Sequence, residues 1–247
     1  MPPAPPPAGP SLLERARRFP ATFALIGATV LVFAGQWLGQ TLTGADVVLY
    51  YGAKINEALA AGEAWRLVTP VFLHAGLLHI GVNMYSLYAL GPAVERFFGH
   101  RRFLAVYLLA GVSGVLLSLV MSPSPSVGAS GAIFGLLGSL AAFLYLHRAT
   151  FGQFGAVQLR QLVFVALINL GMGLSPGIDN WGHVGGLAAG VALAWFVGPR
   201  FSTQVLPDGR ALLLDQRPGR QIAIRLALAA AAVLILSIVA MVNVRRG

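Results

Sequence analysis

Four polar side chains fall inside or at the edge of apolar stretches of this chain: His79, Asn83, Ser130 and His183. Ser130 lies in Val127-Gly128-Ala129-Ser130-Gly131-Ala132-Ile133-Phe134-Gly135, where a loop holding Pro123 and Pro125 ends and an apolar run begins. A hydroxyl is tolerated at that position because serine can bond back to its own helix backbone. A serine and a histidine brought together supply a nucleophile and a general base. His79 and Asn83 are four residues apart, so on a helix they share a face. They carry the side-chain donors that an oxyanion hole requires. The chemistry this set could perform is acyl transfer, with Ser130 and His183 reacting and His79 and Asn83 binding the oxyanion.

The elements that must position these groups are membrane spans. Of the 247 residues, 57% are hydrophobic and only 10% charged, whereas soluble domains carry about 25% charged residues. Several apolar stretches approach the roughly 20 residues a helix needs to cross a bilayer. The expected fold class is all-α, a polytopic membrane helix bundle, because a β-barrel would read as alternation. The sequence predicts seven spans, at about 21–38, 77–94, 103–121, 130–146, 162–174, 181–197 and 226–244. These divide the chain into a disordered and basic N-terminal tail (1–20), a six-helix core (21–198), a polar cytoplasmic linker (199–221) and a seventh helix with a short tail (222–247). Met1 to Pro10 reads as disordered, and the 39–76 loop, near Trp37 and holding Tyr50, Tyr51 and Trp65, reads as lying in the outer leaflet, where such aromatics favour the interface. Pro207-Asp208-Gly209 is a turn signal that could close a small hairpin.

Placing the N-terminus inside leaves thirteen arginines on the inner side, against Lys54, Arg66, Arg245 and Arg246 outside. That bias sets the orientation. It also explains the +9 net charge without a nucleic-acid partner. No cleavable signal stands out, since the first apolar run lacks a small-residue cleavage site and reads as a retained helix.

Counting then gives depth. Spans two, four and six run from outside to inside, and each ends at an arginine on the inner face. Ser130 to Arg148 is 18 residues, roughly 27 Å of helix. His183 to Arg200 and His79 to Arg96 are each 17 residues, roughly 26 Å. The hydrocarbon core is about 30 Å thick. Ser130, His183 and His79 therefore share one level, a few ångströms below the outer surface. Small residues at steps of four, Gly131 and Gly135 on one span and Gly182, Gly186 and Gly190 on the other, let the two backbones approach closely.

Taken singly, Ser130 reads as a helix-packing serine and His79 or Asn83 as an interhelical hydrogen-bond partner, whereas His183 is an ionisable group within a span, which is usually functional. Three helices of one direction carrying them at one depth favour the catalytic reading. Other chemistries fail on absent residues. There is no cysteine and no His-Glu-x-x-His helix, and no aspartate lies inside a span. Ala132 breaks the soluble-hydrolase Gly-x-Ser-x-Gly elbow. Asp179, one turn before His183, could orient it as a third member, but it reads as a loop residue, so a dyad is preferred. His74 is expected in the loop, with a minor site role open, and His100 and His147 have no assigned role.

These residues resemble the rhomboid family of intramembrane serine proteases over about residues 63–197. Trp65-Arg66 resembles its first-loop Trp-Arg pair. His74 to Asn83, read His-x4-His-x3-Asn, resembles its second-helix signature. Gly128-Ala129-Ser130-Gly131 resembles the Gly-x-Ser-Gly motif, and Gly182-His183-Val184-Gly185-Gly186 the sixth-helix histidine motif. The resemblance implies that Ser130 is the nucleophile and His183 its base, with His79, Asn83 and the Ser130 backbone N–H binding the oxyanion. Phe134 stands where many members have a tyrosine packed on the catalytic histidine, so ring packing is expected without the hydroxyl's hydrogen bond. Glu95 and Arg66 resemble positions with structural roles, and the extra helix resembles the six-plus-one arrangement. Implied too are cleavage within transmembrane segments of single-span membrane proteins near the outer face, with no metal and no cofactor. The Ala-, Gly-, Pro- and Arg-rich composition points to a bacterial source and hence a plasma membrane. An inactive rhomboid-like protein that binds membrane clients is the alternative.

Overall fold

The structure, a computed structural model, describes residues 9–206, 208 and 210–246. Most of the expected tail, residues 1–8, and Pro207 and Gly209 of the turn signal lie outside the described residues. The remainder of the N-terminal segment is not all irregular. Leu12–Arg18 forms a short helix, α1, because Ser11 and Glu14 make a reciprocal capping box.

The long helices are α2 (Pro20–Thr43), α5 (Leu77–Met121), α6 (Ser130–Leu146), α7 (Arg148–Met172), α8 (Asn180–Phe196) and α9 (Gly219–Arg246). Between α2 and α5 the loop folds into α3 (Val47–Gly52), α4 (Asn56–Ala60) and two 3₁₀ turns. Four of the helices, α2, α5, α7 and α9, are long and apolar enough to cross a membrane. α5 accounts for two of the expected spans. Gly99 has φ 74° and ψ 162°, outside the α region and open to glycine alone among ordinary residues. The chain reverses there, so both ends of α5 return to the 122–129 loop. Gly152 likewise breaks α7, at φ 52°, so its continuous helix begins near residue 153, well before the 162 expected from apolar periodicity.

α6 is the central helix. Twelve of its 17 residues are buried, and it packs against both α5 and α8. At 1.5 Å per residue it is about 26 Å long, shorter than a hydrocarbon core of about 30 Å.

Buried charges tie the loops to this bundle. Lys54, wholly buried, donates from Nζ to the carbonyls of Ser118, Ser122 and Ser124 at 3.3, 2.8 and 2.9 Å, closing the C-terminus of α5. A cation there also complements the helix dipole. Glu95 accepts from the Ala21 and Thr22 N–H groups and the Thr22 hydroxyl, capping the start of α2, and meets His100 Nδ1 at 2.5 Å. Arg66 donates to Glu63 and to the carbonyls of Tyr50 and Ala53.

The polar stretch after α8 is more structured than a linker. β1 (Phe201–Val205) and β2 (Ala211–Asp215) pair antiparallel, with Phe201 opposite Asp215. The hairpin is moored at its base: Arg102 donates to Asp215 at 2.6 Å, and the Phe201 N–H donates to His147 Nε2 at 3.1 Å. His147 Nδ1 meets the Phe143 carbonyl at 2.9 Å, so this ring joins the end of α6 to the hairpin. α9 begins at Gly219, three residues before the expected boundary.

Candidate active site

Glycines set how closely the site's helices approach. A Cβ on Gly186 of α8 would stand 2.0 Å from the Gly131 carbonyl oxygen of α6, and one on Gly190 would stand 1.9 Å from that of Gly135. A Cβ on Gly114 of α5 would stand 2.6 Å from the Gly182 oxygen. No side chain fits at these crossings, so α5, α6 and α8 meet backbone to backbone.

That approach brings Ser130 Oγ to 2.9 Å from His183 Nε2. Ser130 is the first residue of α6 and His183 lies in the first turn of α8. Phe134, one turn below Ser130, lies flat on the His183 imidazole with centroids 4.4 Å apart and planes 11° from parallel. With no hydroxyl on that ring, His183 Nδ1 is buried without a hydrogen-bond partner.

Asp179 does not reach this nitrogen. It is the N-cap of α8: Oδ1 accepts from the Gly182 N–H at 3.0 Å, and Oδ2 accepts from the Ser126 hydroxyl at 2.5 Å. The carboxylate holds the start of the helix and the loop before α6, with both oxygens engaged.

Gly128, at φ +127°, lies between Ser130 and His79. A Cβ there would be 2.7 Å from His79 Nε2 and 3.7 Å from Ser130 Oγ. The Ala75 N–H points to His79 Nδ1 at 3.4 Å, which leaves Nε2 as the N–H donor on the side of Gly128. Asn83 is buried and donates one of its two amide N–H groups to the His79 carbonyl at 2.9 Å. A space of about 20 Å³, room for one water, adjoins Ser130 and is bordered by Ser126, Gly128, Gly131, Asp179 and Gly182.

His74 is closer to this centre than a loop reading suggests. It is buried, packs edge-on against the His79 ring at 5.0 Å, and its Nε2 faces the Ala129 N–H at 3.5 Å. Its backbone is clamped from α2: the His74 N–H donates to Gln36 Oε1, and Gln36 Nε2 donates to the His74 carbonyl and to Asp46. A glutamine facing inward from an apolar span was the one sequence signal for this clamp. Among the described residues no cluster of His, Asp or Glu could hold a metal ion.

Known proteins place the same region in one family. The Rhomboid domain matches residues 61–200. The chain is 41% identical over 178 residues to Rhomboid protease GluP of Bacillus subtilis (strain 168), covering 72% of this chain and 34% of that protein. It is 37% identical over 157 residues to RHOMBOID-like protein 4 of Arabidopsis thaliana, 63% of this chain and 38% of the other. It is 38% identical over 155 residues to RHOMBOID-like protein 9, chloroplastic, from the same plant, 61% and 35%. The matched stretch is thus little more than a third of each of these relatives. With apolar helices around a glycine-packed centre and a match across more than half its length, this chain is an integral membrane protein and belongs to the rhomboid family.

Proposed function

We propose that this protein is an intramembrane serine endopeptidase that cleaves transmembrane segments of membrane-protein substrates near the outer membrane face, using a Ser130–His183 dyad. The observation that carries this reading is the 2.9 Å contact between Ser130 Oγ and His183 Nε2 under the Phe134 ring. His183 takes the hydroxyl proton as Ser130 attacks the scissile carbonyl, then returns it to the leaving amine. The acyl-enzyme is hydrolysed by water activated through the same nitrogen. The stacked Phe134 ring holds the imidazole plane in place of a third polar residue. His79 Nε2–H, the free amide N–H of Asn83 and the Ser130 backbone N–H are the oxyanion donors. No residue of this set calls for a metal or cofactor.

The short central helix supports water access from the serine side. The arginines gathered at the opposite end of the bundle, Arg102, Arg200, Arg217 and Arg225 among them, support an inner face there and a cytoplasmic N-terminus. The membrane is read as a bacterial plasma membrane, and the substrates as single-span proteins.

Purified protein in vesicles should cleave a single-span model substrate and label with a fluorophosphonate. Both should vanish in Ser130→Ala. Cleavage that survives this substitution overturns the proposal, and folded wild-type protein that neither labels nor cleaves points to an inactive, client-binding rhomboid-like protein instead. His79→Ala should lower kcat by about 10²–10³, the effect of losing one oxyanion donor.

A further inference from the structure

The end of α8 remote from Ser130 collects more positive charge than the fold neutralises. Arg200 donates to the Trp195 carbonyl at 3.0 Å, and Arg225 to the Phe196 carbonyl at 2.8 Å. Arg217 donates to the carbonyls of Phe196, Gly198 and Trp195 at 2.9, 2.5 and 3.0 Å. Three guanidinia from three separate segments thus converge on one helix terminus. A helix C-terminus carries about half a negative charge, so roughly two and a half positive charges remain. The nearby carboxylate, Asp215, is already engaged by the Arg102 guanidinium at 2.6 Å and by the Arg200 and Arg217 backbone N–H groups. Among the described residues, none of the three arginines makes an ion pair.

Their donors are also under-used. A guanidinium carries five N–H groups, and the three together spend only five bonds on carbonyls. Arg200 Nη1 is buried with no partner at all. Burial first, then the charges of Arg200, Arg225 and Arg102, push the Arg217 guanidinium down to about 10, which leaves it charged at neutral pH. The positive-inside rule accounts for arginines on this side of the bilayer. It does not account for three of them packed together, where each repels the others.

We propose that Arg200, Arg217 and Arg225 form a seat for a phosphate-bearing anion, and that its occupant is the headgroup of an anionic phospholipid in the leaflet opposite Ser130. Planar guanidinia match phosphate oxygens bidentately. The surroundings favour a lipid over a soluble phosphate. Trp195 and Phe196, under the Arg200 and Arg225 guanidinia, are 50% and 39% exposed, and Ile224 and Leu228 flank Arg225 along α9, exposed as well. That apolar border suits acyl chains. A bound headgroup bridges the end of α8, the base of the hairpin and the second turn of α9, and so holds the last helix to the core.

The test uses the full chain in detergent, with native mass spectrometry of retained lipid and thermal melting as readouts. The probes are phosphatidylglycerol, phosphatidylcholine and inorganic phosphate. Wild type should retain phosphatidylglycerol at least tenfold over phosphatidylcholine and melt higher with it. Arg217→Gln and Arg225→Gln should each cut that preference about fivefold, the contribution of one basic residue at an anionic surface. Arg225→Lys, which keeps the charge, should retain most of it. Arg160→Gln, on α7, should behave as wild type. Arg225→Gln removes one carbonyl bond only, so it remains informative even where Arg217→Gln fails to fold. Displacement of the lipid by millimolar inorganic phosphate supports the seat but gives it to a soluble anion. Equal retention of both lipids, or a preference unchanged in both Gln variants, overturns the proposal. Because the readout is binding, its failure leaves the proteolytic reading untouched.

Discussion

Gly186→Ala tests the claim that backbone contact between α6 and α8 creates the reactive pair. The added Cβ would stand 2.0 Å from the Gly131 carbonyl oxygen, and real Cβ contacts stay beyond 3.0 Å. The obstacle is backbone, with no flexible side chain to swing aside, so the helices must separate by about 1 Å. Gly131 adjoins Ser130, and Gly186 is one turn from His183. The separation therefore falls on the 2.9 Å contact and stretches it toward 4 Å, beyond hydrogen-bond range. A misplacement of about 1 Å can cost about 10²-fold in rate, and an overpacked core loses about 1–3 kcal/mol. Cleavage of a single-span substrate in vesicles should fall about a hundredfold per folded molecule, with a lowered melting temperature. Gly27→Ala on α2, where nothing lies within 4 Å of the new Cβ, is the control and should match or exceed wild-type stability. A Gly186→Ala protein that melts and cleaves like wild type would refute the packing argument.

Asp179→Ala removes a helix N-cap and the Ser126 bond; stability should fall by about 1 kcal/mol and kcat by less than tenfold. A loss near 10⁴, the cost of removing the aspartate of a true triad, would show that it orients His183 after all. Lys54→Met strands three carbonyls at the end of α5 and should cost about 3 kcal/mol, the upper end for a charged hydrogen bond; an unaltered unfolding midpoint would contradict this. Burial, aided by the charge of Arg200, lowers the His147 pKa below its ordinary 6.5, against the Phe143 carbonyl and Asp215. Folding therefore favours the neutral ring. The Phe201 N–H bond to Nε2 is intact above pH 6.5 and weakens as pH falls below it. Hydrogen exchange at Phe201, corrected for intrinsic rates, should be faster at pH 5.5 than at 7.5, and equal protection at both would sink the assignment.

Helical rise turns residue counts into depth. That is why spacings to Arg96, Arg148 and Arg200 could put His79, Ser130 and His183 on one level before any coordinates, and why steps of four in Gly182, Gly186 and Gly190 announced a close crossing. Motif spacing carried the family, and the family match spans the stretch that holds those motifs. The Phe134 ring stacked on His183 was expected from the family resemblance, and the stacking is there. The loop partners were not legible. Lys54 in its bare stretch gave no sign that it would cap a helix ending 67 residues later. The turn signal after Pro199 hinted at a hairpin, but not at its mooring, because Arg102 and His147 lie far upstream.

Composition and residue spacing by themselves determined a membrane helix bundle and led to the expectation that His79, Ser130 and His183 share one level. The tertiary structure alone decided which of them face each other. Depth along a helix follows from sequence distance, but rotation about its axis and the partner across a loop depend on packing against segments remote in the chain. Asp179 shows the difference: one turn from His183 by count, yet turned to Gly182 and Ser126 in space.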